Sequence, residues 1–313
     1  MDNQDNTGDF FSLVPSANFG WVNDPVEVQA VVATLPFKDF GDTPAAGFAA
    51  DQLPDHAYLW DFAREVTGDL LVPQNQLDVG SCVAFGCERA VNYTLCAEIA
   101  NGFAYEHAYM VQEAIYGLSR VEIGNRKLGR GDGSVGAWAA DAVKKYGIIK
   151  RGTYLNNKYD LTKYNTSRCK DWGWSGLPDD LEPEAKMYPV KEIVPVKTWL
   201  DAKKALVQGY GISVASDQGF SMRRDSNGIA KASGSWAHQM CICGYTTIDG
   251  EEYGRIDNSW GKDAHTGPTG PGNAGPEGFY AHWKTIERML KQNDSFAYAG
   301  VTGFPLRKLR WKI

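Results

Sequence analysis

Apolar and polar positions alternate with a helical rhythm in the first half of the chain and a strand-like rhythm in the second. From Ser81, the apolar residues Ala84, Cys87, Val91 and Leu95 recur at intervals of three and four. Arg89 and Asn92 fall on the other side and Glu88 at the edge of the stripe. That spacing predicts a core helix opened by Cys82, and Glu98 weakens the pattern at its far end. A second stripe, Val135, Trp138, Ala139, Ala142 and Val143, predicts a helix that Ser134 can cap and Gly147 can end. A third helix is expected from Thr198 to Gln208. Beyond it the runs "GISVAS", "HQMCICGYTTI", "YGRIDNSWG" and "GFYAHW" read as strands joined by turn-rich pieces.

Three stretches lack such a period. Residues 1–55 carry scattered Gly, Pro, Asp and Ala and read as an extended N-terminal arm or pro-segment. Residues 151–190 are polar and aromatic and read as a loop-rich closure of one lobe. Between Lys262 and Gly278, eight glycines and prolines break any regular element and leave a loop long enough to be functional. The chain therefore divides into the arm (1–55), a helical lobe (56–190) and a β-rich lobe (191–313).

Composition narrows the function classes. With 43% hydrophobic and 22% charged residues over 313 positions, the chain is an ordinary globular sequence with a large core. The net charge of -6 is spread along it without a basic run, which argues against nucleic acid or an anionic membrane as partner. No run of 18 apolar residues and no signal-peptide pattern occurs, so a cytoplasmic location is expected. The six cysteines at 82, 87, 96, 169, 241 and 243 form no CxxC pair, so no metal site is expected. Cys241 and Cys243, two apart on a strand, would sit about 6.6 Å apart, too far for a disulfide, and the thiols are expected to stay reduced.

The candidate chemistry begins at Cys82. A cysteine at a helix start faces backbone N–H groups and the positive end of the helix dipole, which favour thiolate. Such a nucleophile needs a base, a group to orient the base and donors for an oxyanion. Of the histidines at 56, 107, 238, 265 and 282, His238 stands at the entry to an apolar strand that would hold its ring in place. Twenty positions on, Asn258 precedes Trp260, an indole able to cover an amide–imidazole contact from water.

Gln76 six residues before Cys82, "GSCVAF", His238 with "GY" closing its strand, and "NSWG", in that order, resemble the papain-like cysteine peptidases over roughly residues 55–305. The resemblance implies an α+β fold of two lobes, one helical and one β-barrel-like, with an active cleft between them. It implies hydrolysis of protein or peptide substrates through a thioester acyl-enzyme, without a cofactor. Cys82 and His238 would form a thiolate–imidazolium pair, Asn258 would orient the imidazole beneath Trp260, and Gln76 with the Cys82 N–H would hold the oxyanion. Gly133 and Ser134 match the substrate-groove loop in a form closer to bacterial or phage-encoded members. Ala237 and Ala215 line the second substrate pocket and suggest that it lacks charge. Val79 stands where a disulfide cysteine is common. The family's second tryptophan downstream of "NSWG" is missing, replaced by the Gly/Pro-rich loop. Gln74, eight residues before Cys82, competes with Gln76 for the oxyanion role, and the spacing favours Gln76. A catalytically silent module of the same fold in a larger assembly is the alternative. The arm is expected to pack "FFSLV" (10–14) and "VEVQAVVATLPF" (26–37) permanently on the lobes rather than to block the cleft as pro-segments do.

Overall fold

Asp24 opens the first helix of the computed structural model, which describes residues 19–103, 106–188, 190–300 and 302–307. Its carboxylate accepts from the N–H groups of Val26 and Glu27, and Pro25 takes the first helical position, where no N–H is needed. This helix, α1 (Pro25–Thr34), corrects the expectation of an arm without a period. Val28, Val31, Val32 and Leu35, spaced three and four apart, are all buried. At about 1.5–3 kcal/mol per buried side chain, the four contribute roughly 6–12 kcal/mol, an upper estimate because the unfolded chain already buries part of that surface. "FFSLV" lies outside the described residues.

The helical elements continue with α2 (Leu59–Thr67), α3 (Cys82–Ala100), α4 (Gln112–Leu118), α5 (Gly136–Tyr146) and α6 (Thr166–Ser175). α3 is buried on every side, including Glu88, Arg89, Asn92 and Glu98, so the polar face anticipated for it meets protein rather than solvent. α6 corrects the reading of 151–190 as loop alone. Asn165 caps it by accepting from the Arg168 N–H at 2.8 Å, and it buries Cys169, which the sequence reading put in a polar loop. The start of α5 also differs from expectation. Ser134 makes no cap; its hydroxyl meets that of Ser119, and the carboxylate of Asp294 takes the Gly136 N–H at 2.8 Å instead.

The second half adds α7 (Trp199–Val207) and α8 (Trp283–Leu290) to an antiparallel sheet. Its strands are β1 (His56–Tyr58), β2 (Glu192–Pro195), β3 (Ile212–Arg224), β4 (Ala230–Ile248), β5 (Glu251–Asp257), β6 (Gly278–His282) and β7 (Ser295–Ala299), in the order β2-β7-β3-β4-β5-β6. β1 pairs with β4 at Tyr58 and Gly244, so the first residues of the segment read as the helical lobe belong to the sheet. The six cysteines are all buried and unpaired. Among the described residues no helix is long and apolar enough to cross a membrane.

α3 lies directly on β4 because Gly86 permits it. A Cβ there would stand 2.9 Å from the Met240 carbonyl oxygen, so only glycine lets helix and strand approach this closely. The approach sets the first residue of α3 beside Gln239 in the middle of β4, which begins at Ala230 and not at His238 as the sequence suggests.

Candidate active site

That approach brings the Cys82 sulfur to 3.4 Å from the Gln239 N–H, one residue past His238. His238 is fully buried, and its Nε2 lies 2.8 Å from Asn258 Oδ1. Asn258 Oδ1 also accepts the backbone N–H of Ser259 at 2.7 Å. A backbone N–H can only donate, so this contact identifies the acceptor end of the amide. His238 Nε2 must then carry the proton, which leaves a lone pair on Nδ1, an atom with no hydrogen-bond partner. Trp260 covers the pair, its ring 4.6 Å from the imidazole. From α3, the Tyr93 hydroxyl reaches Asp257 at 2.7 Å and ties the helix to the residue before Asn258.

Gln76 enters through a strand-like contact in which its N–H donates to the Ser259 carbonyl at 2.8 Å and the Gly261 N–H to Gln74. The Ser259 hydroxyl donates to Gln76 Oε1 at 2.6 Å, which turns the amide NH2 toward the loop before Cys82, where it donates to the Val79 carbonyl. Gln74 instead bonds Glu88 on α3. The structure thus gathers Gln76, Cys82, His238, Asn258 and Trp260. Ser259, which fixes the amides of both Gln76 and Asn258, was not singled out, because a serine after an asparagine carries no signal of its own. Asp78 forms an exposed ion pair with Lys170 at 2.8 Å.

The groove is filled. Gly20 and Trp21 donate their N–H groups to the Ala237 carbonyl at 3.1 and 3.0 Å, the Ser134 N–H donates to Gly20 O at 2.8 Å, and the Val22 N–H to Ser134 O at 2.9 Å. Trp21 and Ser134 form a parallel bridge. Phe19 sets its ring edge-on to Trp260 and His238. Gly133 anchors the loop by donating to the Tyr116 hydroxyl at 2.9 Å. Ala215 is buried on β3 opposite Gln239, one step from the Ser216–His238 pair. The arm therefore both packs on the lobes through α1 and crosses Cys82 with residues 19–22.

Burial shifts both reacting groups. Burial pushes the Cys82 thiol up to about 12, although the N–H groups of Gln239, Gly20, Val83 and Cys82 itself pull it back in part. Burial pushes the His238 imidazole down to about 4, against the pull of Asn258. Burial thus favours the neutral form of each group and works against the pull of the helix start toward thiolate.

Trp21 rests on a buried carboxyl. The Trp21 indole N–H donates to Asp294 Oδ2 at 2.7 Å, while Asp294 Oδ1 has no hydrogen-bond partner. A carboxyl thus lies beneath the side chain nearest the groove loop, and burial pushes it up to about 6. Asp294 lies far along the sequence from every groove residue, and no local pattern announces it.

A family model described as papain family cysteine protease matches residues 60–268. Cysteine proteinase 2 of Entamoeba histolytica is 28% identical over 206 residues, 64% of this chain and 58% of its own length, so the chain spans less than two thirds of that relative. Among solved structures, xylellain, a cysteine protease from Xylella fastidiosa, superposes with a TM-score of 0.56 at 16% identity, covering 91% of this chain and 97% of that one. The digestive procathepsin L2 proteinase from the Tenebrio molitor larval midgut gives 0.56 at 17% identity, covering 94% and 80%. At these identities the two structures show the shared two-lobe α+β fold.

Proposed function

The chain belongs to the papain family of cysteine proteases, and from that premise we propose that it hydrolyses peptide bonds with Cys82 as nucleophile and His238 as base. The wiring around Asn258 is the observation that supports this most. It leaves His238 Nδ1 as an unprotonated acceptor on a ring whose other nitrogen is fixed. Once the cleft is open to water, the Cys82 proton passes to that nitrogen and the sulfur attacks the substrate carbonyl. The Gln76 amide and the Cys82 N–H receive the oxyanion, and the C–N bond breaks as His238 gives its proton to the leaving amine. Water, deprotonated by His238, then cleaves the thioester. No step calls for a cofactor. Residues 19–22 must withdraw first, since they occupy the backbone groups of Ser134 and Ala237 that would hold a substrate. The six unpaired cysteines support placing the reaction in a reducing compartment such as the cytoplasm.

Turnover of fluorogenic peptides tests this reading, and Gln76→Ala provides a graded check. Loss of one oxyanion donor lowers kcat about 10² to 10³-fold. An equal loss for Gln74→Ala with Gln76→Ala silent would move the oxyanion site to Gln74.

A substrate side chain that replaces Trp21 meets Asp294. A guanidinium there can use the carboxylate oxygen that lacks a partner, and a charge-assisted hydrogen bond is worth enough to favour arginine over leucine about tenfold in kcat/KM. The carboxylate is charged above its pKa, so the preference is full at pH 7.5 and falls as the pH drops below about 6. Asp294→Asn removes both the preference and its pH dependence. Kinetics on matched peptides at pH 5 and 7.5 read both effects, and a wild-type preference for leucine at pH 7.5 would exclude this role for Asp294.

A further inference from the structure

The loop between Lys262 and Gly278 looks too rich in glycine and proline to hold a shape, yet two buried guanidinium groups fasten it. Arg224 donates to the carbonyls of Pro276, Gly278, His265 and Gly267, and Arg255 to those of Thr269 and Gly275. Backbone bonds from Thr266 to Met222 and from Arg224 to Thr266 pin the same stretch to the end of β3. The residue so delivered is His265. It is 3% exposed, tilted against Phe279, and its Nε2 lies 3.1 Å from Asn258 Nδ2.

The proton assignments follow from the Ser259 N–H. Because that group makes Asn258 Oδ1 the acceptor, Asn258 Nδ2 is a donor, and His265 Nε2 must accept. The His265 proton then sits on Nδ1, and the Met222 backbone offers the ring a hydrogen bond. Burial first, and then Arg224 and Arg255, lower the His265 imidazole to about 3 and favour the uncharged ring that the acceptor role requires.

We propose that His265 is a positioning residue for the nucleophile's base: by accepting from Asn258 Nδ2 it locks the amide with Oδ1 toward His238, and so holds His238 Nδ1 toward Cys82. The inference rests on the peptidase reading given above for the kinetic part of its test. A flipped amide would present an N–H to the His238 Nε2–H, and the imidazole would lose its tautomer and its aim. The Ser259 N–H opposes that flip from one side of the amide and His265 from the other.

A double-mutant cycle in the full chain tests the assignment. His265→Leu lowers kcat about tenfold with KM unchanged, at the low end of what orienting partners are worth to metal-bound imidazoles. His265→Gln, which keeps an acceptor, restores most of the loss. In the Asn258→Ala background His265→Leu has no further effect, because its action passes through the amide. An equal loss in both backgrounds, or a Gln variant no better than Leu, overturns the proposal. Nitrogen-15 NMR of the histidine-labelled wild-type chain at pH 7 reads the tautomer directly and needs neither activity nor a folded variant. Protonated Nδ1 and bare Nε2 on His265 are expected, and an Nε2–H or an imidazolium refutes the role. A Gly20→Ala chain, with the groove cleared, that cleaves no peptide counts against the peptidase reading, and the tautomer then decides His265 alone.

Discussion

Cys82→Ala and His238→Ala each reduce peptide hydrolysis by a factor on the order of 10⁴ or more while leaving the fold intact, and the two together cost little more than either alone. The magnitude follows from the division of labour. Without the sulfur no thioester forms, and without the imidazole the thiol keeps its proton, which burial already favours. Neither side chain is a major packing element. Cys82 sits at a helix start, and His238 keeps its ring between Trp260 and Asn258. Thermal unfolding of each variant close to that of wild type separates lost chemistry from lost structure. A His238→Ala protein that retains a tenth of the activity would remove His238 from the mechanism.

The second large effect concerns the cover. A Cβ on Gly20 would stand 1.9 Å from the Gly80 carbonyl oxygen, a backbone atom of the loop that leads into Cys82. Gly20→Ala therefore cannot seat residues 19–22 in the groove. Overpacking of this kind costs up to about 3 kcal/mol, two decades in the closing equilibrium. Alkylation of Cys82 by iodoacetamide, followed by peptide mapping, rises about 10²-fold in this variant, and peptide turnover rises with it. Gly47→Ala, where a Cβ meets nothing within 4 Å, is the matched control on the same arm. Deleting residues 2–50 would blur the result, because it also removes α1 and the buried valines that contribute to the core. If Gly20→Ala leaves alkylation and turnover unchanged, the 19–22 segment does not limit access.

Much of this site was legible in the sequence because its pieces are local. A cysteine at the seam between a glycine turn and a helical stripe, a histidine opening an apolar strand and an asparagine two before a tryptophan each announce themselves within a few residues. The spacing also separated Gln76 from Gln74, and the structure sends Gln74 to Glu88. What was missed depends on distant parts of the chain. Asp294 reaches Trp21 across 273 positions, and His265 reaches Asn258 only because Arg224 and Arg255 bind the backbone of a stretch whose composition suggests disorder. The helix start at Cys82 is a local signal favouring thiolate, whereas the burial that pushes its thiol up depends on the packing of distant segments. α1 is a different case. Asp24, Pro25 and the spacing of Val28, Val31, Val32 and Leu35 spell a capped amphipathic helix, obscured by the β-branched run "VEVQAVV" that contains it.

The proposed chemistry requires a covalent bond between Cys82 and substrate. Gly20→Ala chain mixed with a peptide ester, quenched in acid within milliseconds to seconds and weighed intact, gains the mass of the acyl group, and digestion places that mass on the peptide containing Cys82. The adduct is absent from the same variant carrying Cys82→Ala. An unmodified mass throughout turnover, or an acyl group on another residue, would contradict the thioester mechanism, and no adduct with no turnover would leave the fold as a silent binding module.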